Sequence, residues 1–194
     1  VNHDGRLVDP RLLARMTEAL GGAGPNAQHV WLDGAVGLGH ARLRPSPDAP
    51  AECQPLSLDG AVWIAADARI DDRGSLVRKL RAHGREGLED ATDAALVLHA
   101  YAVWGDACLR HLLGDFAFAI WDGPRRRLFC ARDHFGVKPF FYAERPDGVV
   151  FGTSLDAVRR HPDVASTLDE AAIRDFLRAG GSEDPAATCF AGVR

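Results

Sequence analysis

Four cysteines and eight histidines are the side chains here best suited to nucleophilic or metal chemistry. Cys53, Cys108, Cys130 and Cys189 lie far apart and form no Cys-x-x-Cys pair, and the histidines form neither His-x-x-x-His nor His-Glu-x-x-His. That spacing argues against a zinc site and against a dense disulfide framework, and it makes a reducing cytoplasm the expected compartment. The remaining chemistry-bearing stretch is Asp133-His134-Phe135-Gly136-Val137-Lys138-Pro139, a polar loop between two apolar runs. Polar loops held by a rigid sheet are frequent sites of function, and equally a well-made turn has this composition.

The elements that must position these residues follow from local pattern. Residues 115–122 are largely apolar, with Ala117 and Ala119 between larger side chains, which suggests a strand covered on both faces. Gly123-Pro124 breaks it, and residues 127–131 return as the antiparallel partner. Residues 139–142 and 149–151 make a further hairpin through Pro146-Asp147-Gly148. Asp9-Pro10 is a helix start, with Leu12, Leu13, Met16 and Leu20 on one face and Gly21-Gly22 as the stop. A loop follows at 22–26, then a hairpin of residues 29–33 and 35–43 joined at Asp33-Gly34. Three prolines between 45 and 50 exclude helix or central strand, so 44–55 reads as a surface connector. Residues 61–70 form a strand. Asp72 and Thr92 cap helices that end near Gly84 and Gly105, and short helices are expected at 107–113, 155–160 and 169–177. Helices and antiparallel strands in blocks make this an α+β chain rather than a Rossmann-type alternation.

Composition bounds the function. At 194 residues, with 46% hydrophobic and 26% charged residues, the chain is an ordinary globular one with a substantial core. A net charge of −4 gives no electrostatic case for nucleic acid or an anionic membrane. No apolar run approaches the ~20 residues of a membrane span. Residues 1–5 read as the tail of a strand, and the start at Val1 together with the stop after Arg194 suggests a fragment.

Four stretches, in order, resemble the N-terminal glutaminase domain of glutamine-hydrolysing asparagine synthetases, a class II glutamine amidotransferase of the N-terminal-nucleophile (Ntn) hydrolase fold. They are Gly37-Leu38-Gly39-His40-Ala41-Arg42-Leu43; Leu98-His99-Ala100-Tyr101 with Trp104-Gly105; Gly114-Asp115-Phe116-Ala117-Phe118-Ala119; and Ala131-Arg132-Asp133-His134-Phe135-Gly136-Val137-Lys138-Pro139. The resemblance covers essentially the whole chain. It implies an αββα sandwich of two mainly antiparallel sheets flanked by helices, spanning 1–178 with its first strand truncated. Residues 179–194 would begin the linker toward an ATP-dependent synthetase domain absent here.

In that family an N-terminal Cys attacks the glutamine side-chain amide with its own α-amine as base. The chemistry needs an activated thiol, a cation for the substrate carboxylate, an anchor for its ammonium and an oxyanion hole. By resemblance the nucleophile belongs upstream of Val1, about one strand away, so no catalytic residue is assigned in this chain. Arg42 matches the arginine that pairs with the substrate carboxylate, although a solvated strand-end arginine would look the same. Asp93, in Thr92-Asp93-Ala94-Ala95, matches the acid that binds the ammonium, although an acid in the first turn of a helix is also favoured by the helix dipole. Ala95 stands where the family has glutamate. Asp67 and Ala68 fall on the Asn-Gly of the oxyanion loop, where an ionised carboxylate offers lone pairs in place of an N–H. The His-Arg-Gly-Pro-Asp loop corresponds to Gly22-Ala23-Gly24-Pro25-Asn26, without its His and Arg.

These departures set an impaired glutaminase against a non-catalytic scaffold domain of the kind expected in β-lactam synthetase-like or lasso-peptide-cyclase-like amide ligases. The resemblance implies as partners a C-terminal synthetase domain and, in an active site, glutamine, and it leaves a homodimer open. It places ATP and Mg²⁺ in the absent domain and no metal in this one. The 133–138 loop is expected near the face shared with that domain, with Asp133 and Lys138 bracing it.

Overall fold

A computed structural model describes residues 1–21, 27–42, 53–181 and 184–194. The loop expected at 22–26, Leu43 and the proline-rich stretch 44–50 lie outside the described residues. In chain order the elements are α1 (Pro10–Leu20), β1 (Ala27–Asp33), β2 (Val36–Arg42), β3 (Leu56–Ser57), β4 (Val62–Ile70), α2 (Arg73–Ala82), α3 (Asp93–Trp104), a 3₁₀ segment (Gly105–His111), β5 (Gly114–Asp122), β6 (Arg127–Arg132), β7 (Phe141–Arg145), β8 (Gly148–Gly152), α4 (Leu155–Arg159) and α5 (Glu170–Ala179).

Four of the expected helix starts are made by side-chain caps, while α4 and the 3₁₀ segment begin without one. Asp9, Asp72, Thr92 and Asp169 accept from the backbone N–H of Arg11, Ser75, Ala95 and Ala172 respectively. Two local expectations change. The helix expected at 107–113 is the 3₁₀ segment, and a two-residue strand, β3, too short to show a period, directly follows the connector.

One sheet is continuous, in the order β3-β4-β5-β6 and antiparallel throughout. β4 and β5 pair from Val62↔Asp122 to Ile70↔Gly114. Strand alternation sends Ile64, Ala66 and Ile70, with Phe116, Phe118 and Ile120, into a core with Leu76 and Leu80 of α2 and Leu96 and Leu98 of α3. Each such aliphatic or aromatic side chain contributes about 1.5–3 kcal/mol by leaving water. Gly114 is obligatory at the strand entry: its φ is 142°, and a Cβ there would lie 2.0 Å from the Arg69 carbonyl oxygen.

Facing this sheet are two separate hairpins, β1–β2 and β7–β8, with no strand pairing between them among the described residues. The first residues lie between the two. The Val1 amine donates to the Val149 carbonyl and Val149 N–H returns to Val1, both at 2.9 Å, while Asn2 N–H reaches the Ala35 carbonyl at 2.8 Å. α1 packs on β1 and β2, and α4 on β7 and β8, so the layers run helix, sheet, sheet, helix. Close approach of α1 requires Gly39, where a Cβ would sit 2.0 Å from Thr17 Oγ1. At one side the sheets are joined by stacking of Trp31 on Trp63, ring centroids 4.8 Å apart. In the stretch read as the start of a linker, Gly180 ends α5. Residues 189–191 lie alongside 167–169, and Arg194 exchanges both backbone bonds with Tyr142.

Candidate functional site

A cleft of about 1400 Å³ opens between the continuous sheet and the divided one. Its floor is the alternate face of β4 and β5, where Ala65, Ala117 and Ala119 keep side chains short, and Arg42, Asp67, Ala68 and Asp93 all line it. The two substrate-binding residues matched by resemblance and the two oxyanion-loop positions therefore share one cavity.

The free edge of β4 organises one wall. Buried Gln54 stands in for a missing strand: its Nε2 donates to the Ala66 carbonyl at 3.0 Å, and Ala66 N–H donates to its Oε1 at 2.7 Å. Four residues on, Ile70 N–H donates to Asp93 Oδ2 at 3.0 Å. Ala68 lies midway between them, so the antiparallel alternation turns its N–H to the same edge. A side chain at this position has not stopped the backbone from presenting that donor, which regular strand geometry supplies without glycine.

The charged groups are neutralised from within the chain. Asp67 Oδ1 lies 2.7 Å from Lys138 Nζ. Asp93 is the first residue of α3, beside the Thr92 cap, and its Oδ1 is paired with the Arg73 guanidinium, which also donates to the Ala91 carbonyl. Both carboxylates thus hold a cation from a neighbouring element. Arg42 ends β2 opposite Ala27, two residues after His40 on the same strand face. His40 Nδ1 is buried with no hydrogen-bond partner among the described residues. Burial chiefly holds this imidazole's pKa below the usual histidine value, with Asp67 pulling it up and Arg42 pushing it down.

Sequence reasoning missed Gln54, Arg73 and His40. His40 had a signal, the His-x-Arg period of two that puts it beside Arg42. Arg73 and Gln54 had none, because their partners are distant in sequence. In the loop whose Asp133 and Lys138 are expected to brace the face shared with the synthetase domain, Asp133 turns inward and Lys138 reaches Asp67. Asp133 is 4% exposed and accepts from the N–H groups of Phe116, Phe135, Val137 and Lys138 at 2.9 to 3.3 Å. These bonds, that of Lys138 foremost, hold its carboxyl below the usual carboxylate pKa. The loop tip instead exposes Phe135 and Val137.

None of the four cysteines lines this cleft. Burial pushes the Cys108 thiol up to about 11 and the Cys130 thiol up to about 12, leaving both protonated at neutral pH. Among the described residues no group of three or more His, Cys, Asp or Glu side chains could hold a metal ion, and no helix is long and apolar enough to cross a membrane.

Comparison with known proteins agrees with this geometry. The glutamine amidotransferase domain family matches residues 3–194. The chain is 33% identical over 189 residues to asparagine synthetase [glutamine-hydrolyzing] 3 of Bacillus subtilis, covering 96% of this chain and 30% of that protein. It is 32% identical over 143 residues to asparagine synthetase [glutamine-hydrolyzing] 1 of the same organism, covering 73% and 22%. It therefore spans less than a third of the length of either relative. Among solved structures, the glutamine phosphoribosylpyrophosphate amidotransferase of B. subtilis superposes with a TM-score of 0.64 at 16% identity, over 80% of this chain and 41% of that one. That likeness concerns the fold, an α+β sandwich of the Ntn-hydrolase type. Family match, identity and fold together place the chain in the glutamine amidotransferase domain family of asparagine synthetase-like proteins.

Proposed function

We propose that this chain is the amidotransferase-type domain of a longer, ATP-dependent amide-forming protein, and that glutamine hydrolysis in it is lost or strongly reduced. One observation carries the reading: both acids matched to the glutamine site, Asp67 and Asp93, hold a cation of the chain itself. At the position of Asp67 a developing oxyanion meets a carboxylate engaged with Lys138 instead of the required amide donor, and losing one such donor costs about 3 kcal/mol, on the order of 10²-fold in rate. A substrate ammonium at Asp93 meets the Arg73 guanidinium. The domain then serves as a scaffold beside the amide-forming portion, which would bind ATP and Mg²⁺ and capture an activated carboxylate with an amine not drawn from glutamine. The names and lengths of the relatives support that larger context.

Active glutaminase chemistry is the second reading, favoured by Arg42 and the Ala68 edge sharing one cleft. Ammonia release from L-glutamine by the full-length protein separates the two. The scaffold reading expects release at background. Turnover of about 1 s⁻¹ or more, abolished by Arg42→Ala, contradicts it.

A further inference from the structure

The ammonium subsite is already filled, and this sets which ligands the cleft accepts. Asp93 spends Oδ2 on Ile70 N–H and Oδ1 on Arg73. Arg73 opens α2 directly after its Asp72 cap, and its second Nη is tied to the Ala91 carbonyl, so its guanidinium is held by two partners although the side chain is 40% exposed. A carboxylate in an ion pair keeps spare lone pairs, but an arriving ammonium would meet a carboxylate whose charge Arg73 already offsets, with the like-charged guanidinium beside it. Other carboxylates at this end of the cleft offer no replacement. Asp67 is held by Lys138 and Glu89 by Arg81, while Asp90 is exposed at the rim. Cations, by contrast, gather here: Arg42, Arg73 and Lys138 all line the cavity.

We infer that Arg73 is a specificity-determining residue that converts an amino-acid site into one for carboxylate-bearing amides without an α-ammonium group. The inference rests on the reading of this cleft as a glutamine-type site. It goes further in naming the ligand class.

The probe is glutaramate, which is glutamine without its α-amino group, compared with L-glutamine by calorimetric titration of the full-length protein. Glutaramate binds at least about 10-fold more tightly than glutamine to the wild type, the scale of a single charge-assisted hydrogen bond. Arg73→Gln frees Asp93 and reverses the order. Asp93→Asn added to that variant removes glutamine's advantage, and Arg73→Lys, which keeps the cation, keeps the wild-type preference. Equal or tighter binding of glutamine by the wild type, binding of neither ligand, or an unchanged ratio in Arg73→Gln overturns the inference. If Arg73→Gln fails to fold by thermal melting, the wild-type ratio and Arg73→Lys decide. Titration reads binding without turnover. A wild type that prefers glutamine yet releases no ammonia would therefore sink this inference and leave the proposed function standing.

Discussion

The two sheets use similar strands to different ends. In the β3–β6 sheet every neighbour is paired, one face is sealed by α2 and α3, and residues such as Ile64, Leu96 and Ile120 are fully buried. The opposite layer is two hairpins with a smaller core of Ala143, Val150, Val158, Val164 and Val193. The cleft lies where the complete sheet meets the divided one. The continuous sheet fixes the positions of Asp67, Ala68 and the Asp93 contact, and the hairpins supply Arg42 and His40 from β2.

The largest test of that contrast is a truncation in each core. Phe118→Ala, in the continuous sheet, is expected to cost about 3–5 kcal/mol in denaturant unfolding, from lost transfer energy plus a cavity that the close packing cannot collapse. Val150→Ala, in a hairpin that borders the cleft, is expected to cost about 1–2 kcal/mol, because fewer partners surround it. Equal losses would erase the distinction. Gln54→Leu sharpens it at the seam. Leaving the Ala66 N–H and carbonyl without their side-chain partner is expected to cost about 1–3 kcal/mol. Amide exchange should quicken at Ala66 and not at Ile120.

A smaller effect is expected in acid. The Asp133 carboxyl titrates below its unfolded value of about 3.9, so its stabilisation is complete above that value and is lost as pH falls through the depressed folded-state pKa. Asp133→Asn should flatten this acid limb of the stability curve and quicken amide exchange at Phe135 and Val137. The smallest effect belongs to the Asp67–Lys138 pair, whose side chains are 50% and 31% exposed. Lys138→Met should change stability by no more than about 1 kcal/mol, and less at high salt.

Much of this was legible in the sequence for local reasons. Asp9-Pro10, Thr92 and Asp33-Gly34 announce their caps and turn through side-chain chemistry that acts within three residues. The long apolar strand β5 shows as a covered strand because its small alanines alternate with large residues. What could not be read involves pairing across the fold. Gln54 replaces a strand with a side chain, which has no period. Arg73 reaches Asp93 twenty residues on, and Lys138 reaches Asp67 from a loop far along the chain. Asp133 was equally hidden: four converging N–H groups make a buried carboxylate favourable in a polar loop.

The central claim is that the cleft's acids are satisfied from within, and the Ile70 amide reports on it because that N–H donates to Asp93. The most direct measurement follows this resonance by NMR while L-glutamine is raised to tenfold above an ordinary KM of about 1 mM. The account predicts no saturable shift at Ile70, with Arg73 still paired to Asp93. A saturable shift at Ile70, with release of the Arg73 contact, would show that a substrate ammonium displaces the internal cation and would contradict it.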